Sequence, residues 1–153
     1  MDCPKCPVGK LSEVTVKINN IYREKILQGE GATLEIRVDQ CFVCSGFWFD
    51  AGELDKCLSE HVNVLDSLES PDVDQALMKE LKQKLGKCPR CQMDMVKKPA
   101  PKDSKMIIDV CEKCQGIWLD GGEYDELESR NLGKTNQVIL RLENLLDRLR
   151  GKD

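Results

Sequence analysis

The chain has 153 residues, a formal net charge of −4, 41% hydrophobic and 5% aromatic residues, and nine cysteines. Split in two, that length gives halves in which a hydrophobic core alone is marginal and disulfides or metals usually contribute. No apolar run approaches the roughly 20 residues that span a membrane, and "MDCPKC" at the start has no basic-then-apolar signal, so a cytoplasmic protein is expected.

In chain order, the first feature is a Cys-x-x-Cys claw, Cys3/Cys6. "LSEVTVKI" alternates Val14, Val16 and Ile18, and "LEIRV" alternates Leu34, Ile36 and Val38, the period of two expected of strands. The intervening "NNIYREKILQGEG" lengthens this hairpin or adds a strand. A second claw, Cys41/Cys44, opens "CFVCSGFWFDAGELD", in which Asp50 and Glu53 have the spacing of a capping box at a helix start. Residues 59 to 70 read as a linker. "SPDVDQALMKELKQKLG" is then the clearest helix: Pro71 suits its first position, Val73, Leu77, Met78, Leu81 and Leu85 form an apolar face, and Gly86 ends it. Cys88/Cys91 follow, then "MDMVKK" and "KMIID" on either side of a turn-like "PAPKD". Cys111/Cys114 open "CEKCQGIWLDGGEYD", which repeats residues 41–55 with the same spacing, Asp120 and Glu123 included. The C-terminal "TNQVILRLENLLDRLRGK" places Val138, Leu142, Leu145 and Leu149 at 4-3-4 spacing.

The expected fold is therefore a small metal-stabilised α+β protein. Its parts are a zinc ribbon at 1–58 (a β-hairpin with two claws, then a short helix), a linker and amphipathic helix at 59–86, a second ribbon at 87–130, and a C-terminal amphipathic helix at 131–153. The first ribbon has 34 residues between its claws and the second has 19.

Eight cysteines in four CxxC pairs point to metal, because adjacent CxxC thiols make poor disulfide staples while two pairs supply the four thiolates of tetrahedral zinc. The expected ligands are Cys3, Cys6, Cys41 and Cys44 for one Zn²⁺ and Cys88, Cys91, Cys111 and Cys114 for a second. Iron in a rubredoxin-like site uses the same tetrahedral sulfur set. Redox-active CxxC pairs need a βαβ context that is missing. Backbone N–H groups inside each claw are expected to donate to sulfur and fix its direction.

The segments "VDQCFVCSGFWFDAGELD" and "IDVCEKCQGIWLDGGEYD", each preceded by a CPxC claw, resemble the bacterial family named after the zinc ribbon of transcription factor IIB. The resemblance covers residues 3–57 and 88–127. It implies the eight cysteines as ligands, with Asp39 and Asp109, Gly46 and Gly116, and Trp48 and Trp118 as family positions. Pro7 and Gln92 stand where such a claw often has glycine, and Phe49 replaces leucine. Pro7 cannot take the left-handed turn that glycine allows, which leaves the geometry of the first claw open. The family name records a likeness to a transcription factor, and a transcription-related setting remains an expectation.

The other repeated residues are expected to give structural support. Trp48 and Trp118 should pack over their metal sites and hairpins. Gly46 and Gly116 should permit a backbone conformation closed to other residues. Asp50, Glu53, Asp120 and Glu123 should cap helices, and Asp39 and Asp109 should hydrogen-bond a claw backbone. A metal-dependent hydrolase is the alternative reading of these carboxylates, but no nucleophile or second histidine accompanies them, so no catalytic residue is assigned. Cys57 and the single histidine, His61, are spaced i, i+4; with four thiolates found per module, Cys57 is expected as a small buried residue.

The net charge argues against generic nucleic-acid binding, which needs a basic footprint. Residues 79–105, however, carry nine basic and three acidic side chains, net +6, against net −5 over residues 1–70. If nucleic acid is the partner, Arg90, Lys97, Lys98, Lys102 and Lys105 are the residues expected to meet it. No aromatics lie in that patch for base stacking. The expected function is a non-catalytic tandem zinc-ribbon adaptor with a protein partner, with nucleic-acid binding through 79–105 as the alternative. The apolar stripe of the C-terminal helix could join two chains into a homodimer, although two heptads fall short of a coiled coil.

Overall fold

The computed structural model describes residues 1–18, 34–59, 74–101, 103–130 and 151. The inserted "NNIYREKILQGEG", the linker with His61, Pro71, Val73, Lys102 and the C-terminal helix with its dimer stripe lie outside these residues.

Both expected hairpins are present. Strands β1 (Leu11–Ile18) and β2 (Leu34–Cys41) pair antiparallel, as do β4 (Val96–Ala100) and β5 (Asp103–Val110). After each second claw the chain forms a three-residue strand that the sequence reading did not anticipate: β3 (Phe47–Phe49) and β6 (Ile117–Leu119). These two strands pair with each other, with Trp48 opposite Trp118. The result is one six-stranded antiparallel sheet, in the order β1-β2-β3-β6-β5-β4, with the duplicated segments meeting at its centre.

Alternation along the strands sends successive side chains to opposite faces. On one face, Phe47, Phe49 and Leu119 join Val16, Ile36, Val38, Met106 and Ile108 in a core with helix α1 (Glu53–Ser59) and the helical residues 123–130. Phe49 of the first ribbon stacks on Tyr124 of the second, with ring centroids 5.9 Å apart. Cys57 is fully buried in this core, and burial pushes its thiol up to about 12, which makes it an unreactive packing residue. On the other face, Trp48 and Trp118 lie among the eight claw cysteines with Leu11 and Met95.

Helix α2 (Gln75–Gln83) covers that second face through Leu81 and Leu77. Its N-cap is Asp74, whose side chain accepts from the Ala76 N–H. Three readings of this helix change. Its first residue is Gln75, where the sequence suggested Pro71. Leu85, assigned to the apolar face, lies beyond the C-cap at Lys84 and is 61% exposed. Gly86 is small because a Cβ there would sit 2.5 Å from the Pro4 carbonyl oxygen of the first claw.

The helix starts after β3 and β6 also differ from a full capping box. Asp50 N–H does donate to Glu53 (2.8 Å) and Asp120 N–H to Glu123 (2.8 Å). The aspartate side chains, though, accept the indole N–H of Trp48 (3.0 Å) and Trp118 (2.9 Å). Each helix is entered through a turn closed by Glu53 N–H to Asp50 C=O and Glu123 N–H to Asp120 C=O. Gly52 (φ 83°) and Gly122 (φ 85°) occupy the third position, as a type II turn requires.

One core position breaks the apolar pattern. Gln40 lies on the helix-covered face beside Val38, where β5 carries Val110, and neither of its buried amide atoms has a hydrogen-bond partner among the described residues. An orphaned buried amide costs about 1–3 kcal/mol. Gln40→Met, which keeps the volume, should therefore stabilise the metal-loaded protein by about 1 kcal/mol, seen as a higher urea midpoint with unchanged slope. A lower midpoint would show that the amide has a partner worth keeping.

Candidate metal centres

The four claws assemble into two separate sulfur clusters, Cys3/Cys6/Cys41/Cys44 and Cys88/Cys91/Cys111/Cys114, and within each the sulfurs all lie within 4.8 Å of one another. Sulfur–sulfur distances are 3.7 Å for Cys3–Cys44, 3.4 Å for Cys6–Cys41 and 3.7 Å for Cys88–Cys114. A tetrahedral ion with metal–sulfur bonds of about 2.3 Å requires about 3.8 Å between sulfurs, whereas a disulfide requires about 2 Å. All nine cysteines are free thiols. The two sites fit two zinc ions, and a complete set of four sulfurs leaves no open position for a substrate or catalytic water.

Within the first claw of each centre, backbone N–H groups aim at the leading sulfur as anticipated. Lys5 and Cys6 N–H point to Cys3 Sγ (3.5 and 3.4 Å), and Arg90 and Cys91 N–H to Cys88 Sγ (3.4 and 3.2 Å). Three claws close the same way. Ser45 (φ 58°), Gln92 (φ 60°) and Gln115 (φ 61°) turn left-handed and donate their N–H to the carbonyl of the leading cysteine. Pro7 occupies this place in the fourth claw and can do neither. The loop there is one residue longer: Cys3 N–H reaches Gly9 C=O, where Cys88 N–H reaches Met93 C=O. Gly9 sits where a Cβ would be 2.3 Å from Cys6 Sγ and 2.4 Å from Cys41 Sγ, so the extra residue must be glycine.

Gly46 and Gly116 were expected to supply an unusual backbone conformation, yet neither has a positive φ. Their role is space. A Cβ on Gly116 would be 2.1 Å from Trp48 Cζ2, and one on Gly46 would be 2.1 Å from Trp118 Cζ2. Each indole thus lies on the second claw of the other ribbon, where it had been expected over its own.

The charged residues cross over in the same way. Lys5, inside the first claw of centre 1, has its ammonium 2.7 Å from Asp109 and 3.3 Å from Asp120 of the second ribbon, and donates to Leu81 C=O near the end of α2 (3.0 Å). Its burial would lower its pKa, but Asp109 and Asp120 outweigh that and hold it above the ordinary value. Arg90, at the same place in centre 2, forks onto Asp50 through Nε (3.0 Å) and Nη2 (2.9 Å) and reaches Asp39 at 2.8 Å. Burial would raise Asp50, but hydrogen bonds from Arg90 and Trp48 hold it below the ordinary value; at Asp39 burial wins and raises it.

In place of the claw backbone expected for them, Asp39 meets Arg90 of the opposite ribbon, and Asp109 meets Lys5 of the opposite ribbon and Lys97 of its own. Among the basic residues considered for nucleic acid, Arg90 is held by Asp39 and Asp50, Lys97 pairs with Asp109 (2.8 Å), and Lys98 pairs with Glu112 (2.8 Å). Lys105 is exposed.

A comparison with protein families matches the transcription factor zinc-finger family over two segments, residues 31–60 and 87–130. The matched segments are similar to that family in both ribbons, consistent with a tandem zinc-ribbon protein. The first matched segment begins after Cys3 and Cys6, so the first claw of centre 1 is assigned by the geometry above and by its mirror in centre 2. No curated protein and no solved structure matches the chain.

Two substitutions test this arrangement. Gly116→Ala drives a methyl into Trp48 and should destabilise the loaded protein by about 2 kcal/mol. Hydrogen exchange should show lost protection in β3 of the first ribbon as well as β6; loss confined to the second ribbon would contradict the shared interface. Glu123, raised to about 7 by burial and then by neighbouring Asp120, binds a proton in the fold that it has released at the same pH when unfolded. Its contribution to stability falls as pH rises from about 4.5 through about 7. Glu123→Gln keeps an acceptor for Asp120 N–H and cannot ionise, so its advantage over wild type should be about 1 kcal/mol larger at about pH 8.5 than at about pH 6. Denaturation curves at the two pH values check this; an equal or opposite difference would refute the burial argument.

Proposed function

We propose that the chain is a non-catalytic, two-metal scaffold that acts as a protein–protein adaptor in a reducing compartment such as the cytoplasm. The closed sulfur sets support a structural role for the metals, and the repeated carboxylates that would have served a hydrolase are engaged: Asp39 and Asp50 with Arg90, Asp109 and Asp120 with Lys5, Glu53 and Glu123 with helix-entry N–H groups. No helix among the described residues is long and apolar enough to cross a membrane.

The observation that carries the adaptor reading is the claw tips of centre 1. Val8 (76% exposed), Phe42 (46%) and Val43 (44%) stand in solvent on the two loops that hold one ion. The corresponding second claw of centre 2 carries Glu112 and Lys113. Exposed apolar groups held on a metal-rigidified loop favour a protein contact, because little conformational freedom is lost on binding. A transcription-related partner would fit the family but rests on its name alone. The nucleic-acid reading is weakened by the acidic partners of Arg90, Lys97 and Lys98.

A photo-crosslinking residue at Phe42, introduced into the metal-loaded chain in cells, should capture a protein, and Val8→Asp with Val43→Asp should abolish the capture without loss of metal. Duplex and single-stranded DNA and RNA should not be retarded even at low salt. Binding that falls steeply with salt and weakens on neutralising Lys97, Lys98, Lys102 and Lys105 would instead establish the nucleic-acid alternative.

A further inference from the structure

We propose that Lys5 and Arg90 are positioning residues that couple the two metal centres, so that loading one prepares the other. Around centre 1, Lys5 on the first claw holds Asp120, Asp120 accepts the Trp118 indole N–H (2.9 Å), and the Trp118 ring lies on Gly46 beside the second claw. An aspartate–tryptophan bracket from the second ribbon thereby spans both claws of the first ribbon's centre. Around centre 2 the arrangement is repeated with Arg90, Asp50, Trp48 and Gly116.

The coupling follows from chain connectivity. Trp118 is four residues after Cys114, and it pairs with Asp109, two residues before Cys111, across β5 and β6. When an ion gathers the claws of centre 1, Lys5 and Gly46 come into place and fix Trp118, and with it the strand that carries the second claw of centre 2. The same steps run from centre 2 to Trp48 and Cys41/Cys44. By linkage, each ion raises the affinity for the other by the same factor.

The two links differ in strength. The side chains of Lys5, Asp109 and Asp120 are 0%, 1% and 4% exposed, while Arg90 is 39% exposed and Asp50 44%. A buried pair that loses one partner leaves an uncompensated charge out of water, whereas an exposed pair is replaced by hydration. Lys5 therefore carries most of the coupling. The inference rests on the two thiolate centres and is independent of the partner class.

Titrating the metal-free full-length chain with Co²⁺ and reading the loaded species by native mass spectrometry tests it. At one equivalent, independent centres of equal affinity leave roughly half of the chains singly loaded, and unequal ones leave more; between centres of equal affinity a coupling within the usual range of about 5- to 150-fold lowers the share to about one third or less. Because unequal affinities raise the share in every variant alike, a wild-type share no lower than that of both Lys5→Met and Arg90→Gln would overturn the proposal. Lys5→Met should raise that share toward one half, and Lys5→Arg should restore it. Unchanged loading in Lys5→Met would show that Lys5 does not carry the link. If Lys5→Met fails to fold with metal, Arg90→Gln decides: its exposed link should give a smaller rise in the singly loaded share, and no rise would overturn the coupling role.

Discussion

The structure depends on an indole lying against a bare backbone. At the centre of the sheet, Trp48 and Trp118 face each other in register, and each rests on the glycine that follows the other ribbon's second claw. A single added methyl on either glycine would occupy space that an indole already fills. The short strands β3 and β6 have three residues each and could not hold a sheet by their own hydrogen bonds. What keeps them paired is that both faces are filled, by aromatic and aliphatic side chains on one and by the indoles and claws on the other.

From this contact the remaining charges follow. Each indole N–H is tied to an aspartate, and each aspartate lies within reach of the cation inside the opposite first claw. The CPxC loop thus has two functions: its cysteines bind metal and its third residue binds the partner ribbon. Lys5 also closes the carbonyl end of α2, which joins the middle helix to the same network. A lysine with a compact ammonium suits the fully buried place, where three oxygens converge. An arginine with a planar fork suits the more open one, where it meets Asp50 through two nitrogens.

The duplication therefore amounts to an internal dimer. Contacts of Lys5 with Asp120 and of Arg90 with Asp50 are the same contact made twice about a local two-fold relation, as in an isologous interface between identical subunits. Covalent connection has let the copies diverge. One has a longer first claw around Pro7 and Gly9, a buried glutamine at position 40 and apolar tips on both claws; the other has a valine at position 110, an exposed Met93 on its first claw and Glu112 and Lys113 on its second.

The sequence by itself determined the metal ligands, the two hairpins and the middle helix. Each of these rests on local information: two cysteines three residues apart, a period of two, and an apolar face with a period near 3.6. Cys57 was also legible, since four thiolates per module left it no ligand role. Only the tertiary structure decided what the repeated Gly, Trp and Asp are for, because their partners lie in the other copy, about seventy positions away. Gly46 read in isolation suggests an unusual φ, and Asp50 suggests a helix cap; the true constraints are a ring and a guanidinium supplied from a distance. Arg90 and Lys97 counted as a basic surface for the same reason. Charge can be read along a chain, but its neutralisation by Asp50 or Asp109 depends on which surfaces the fold brings together. The strands β3 and β6 escaped notice because three residues are too few to display a period, and only pairing with each other makes them strands.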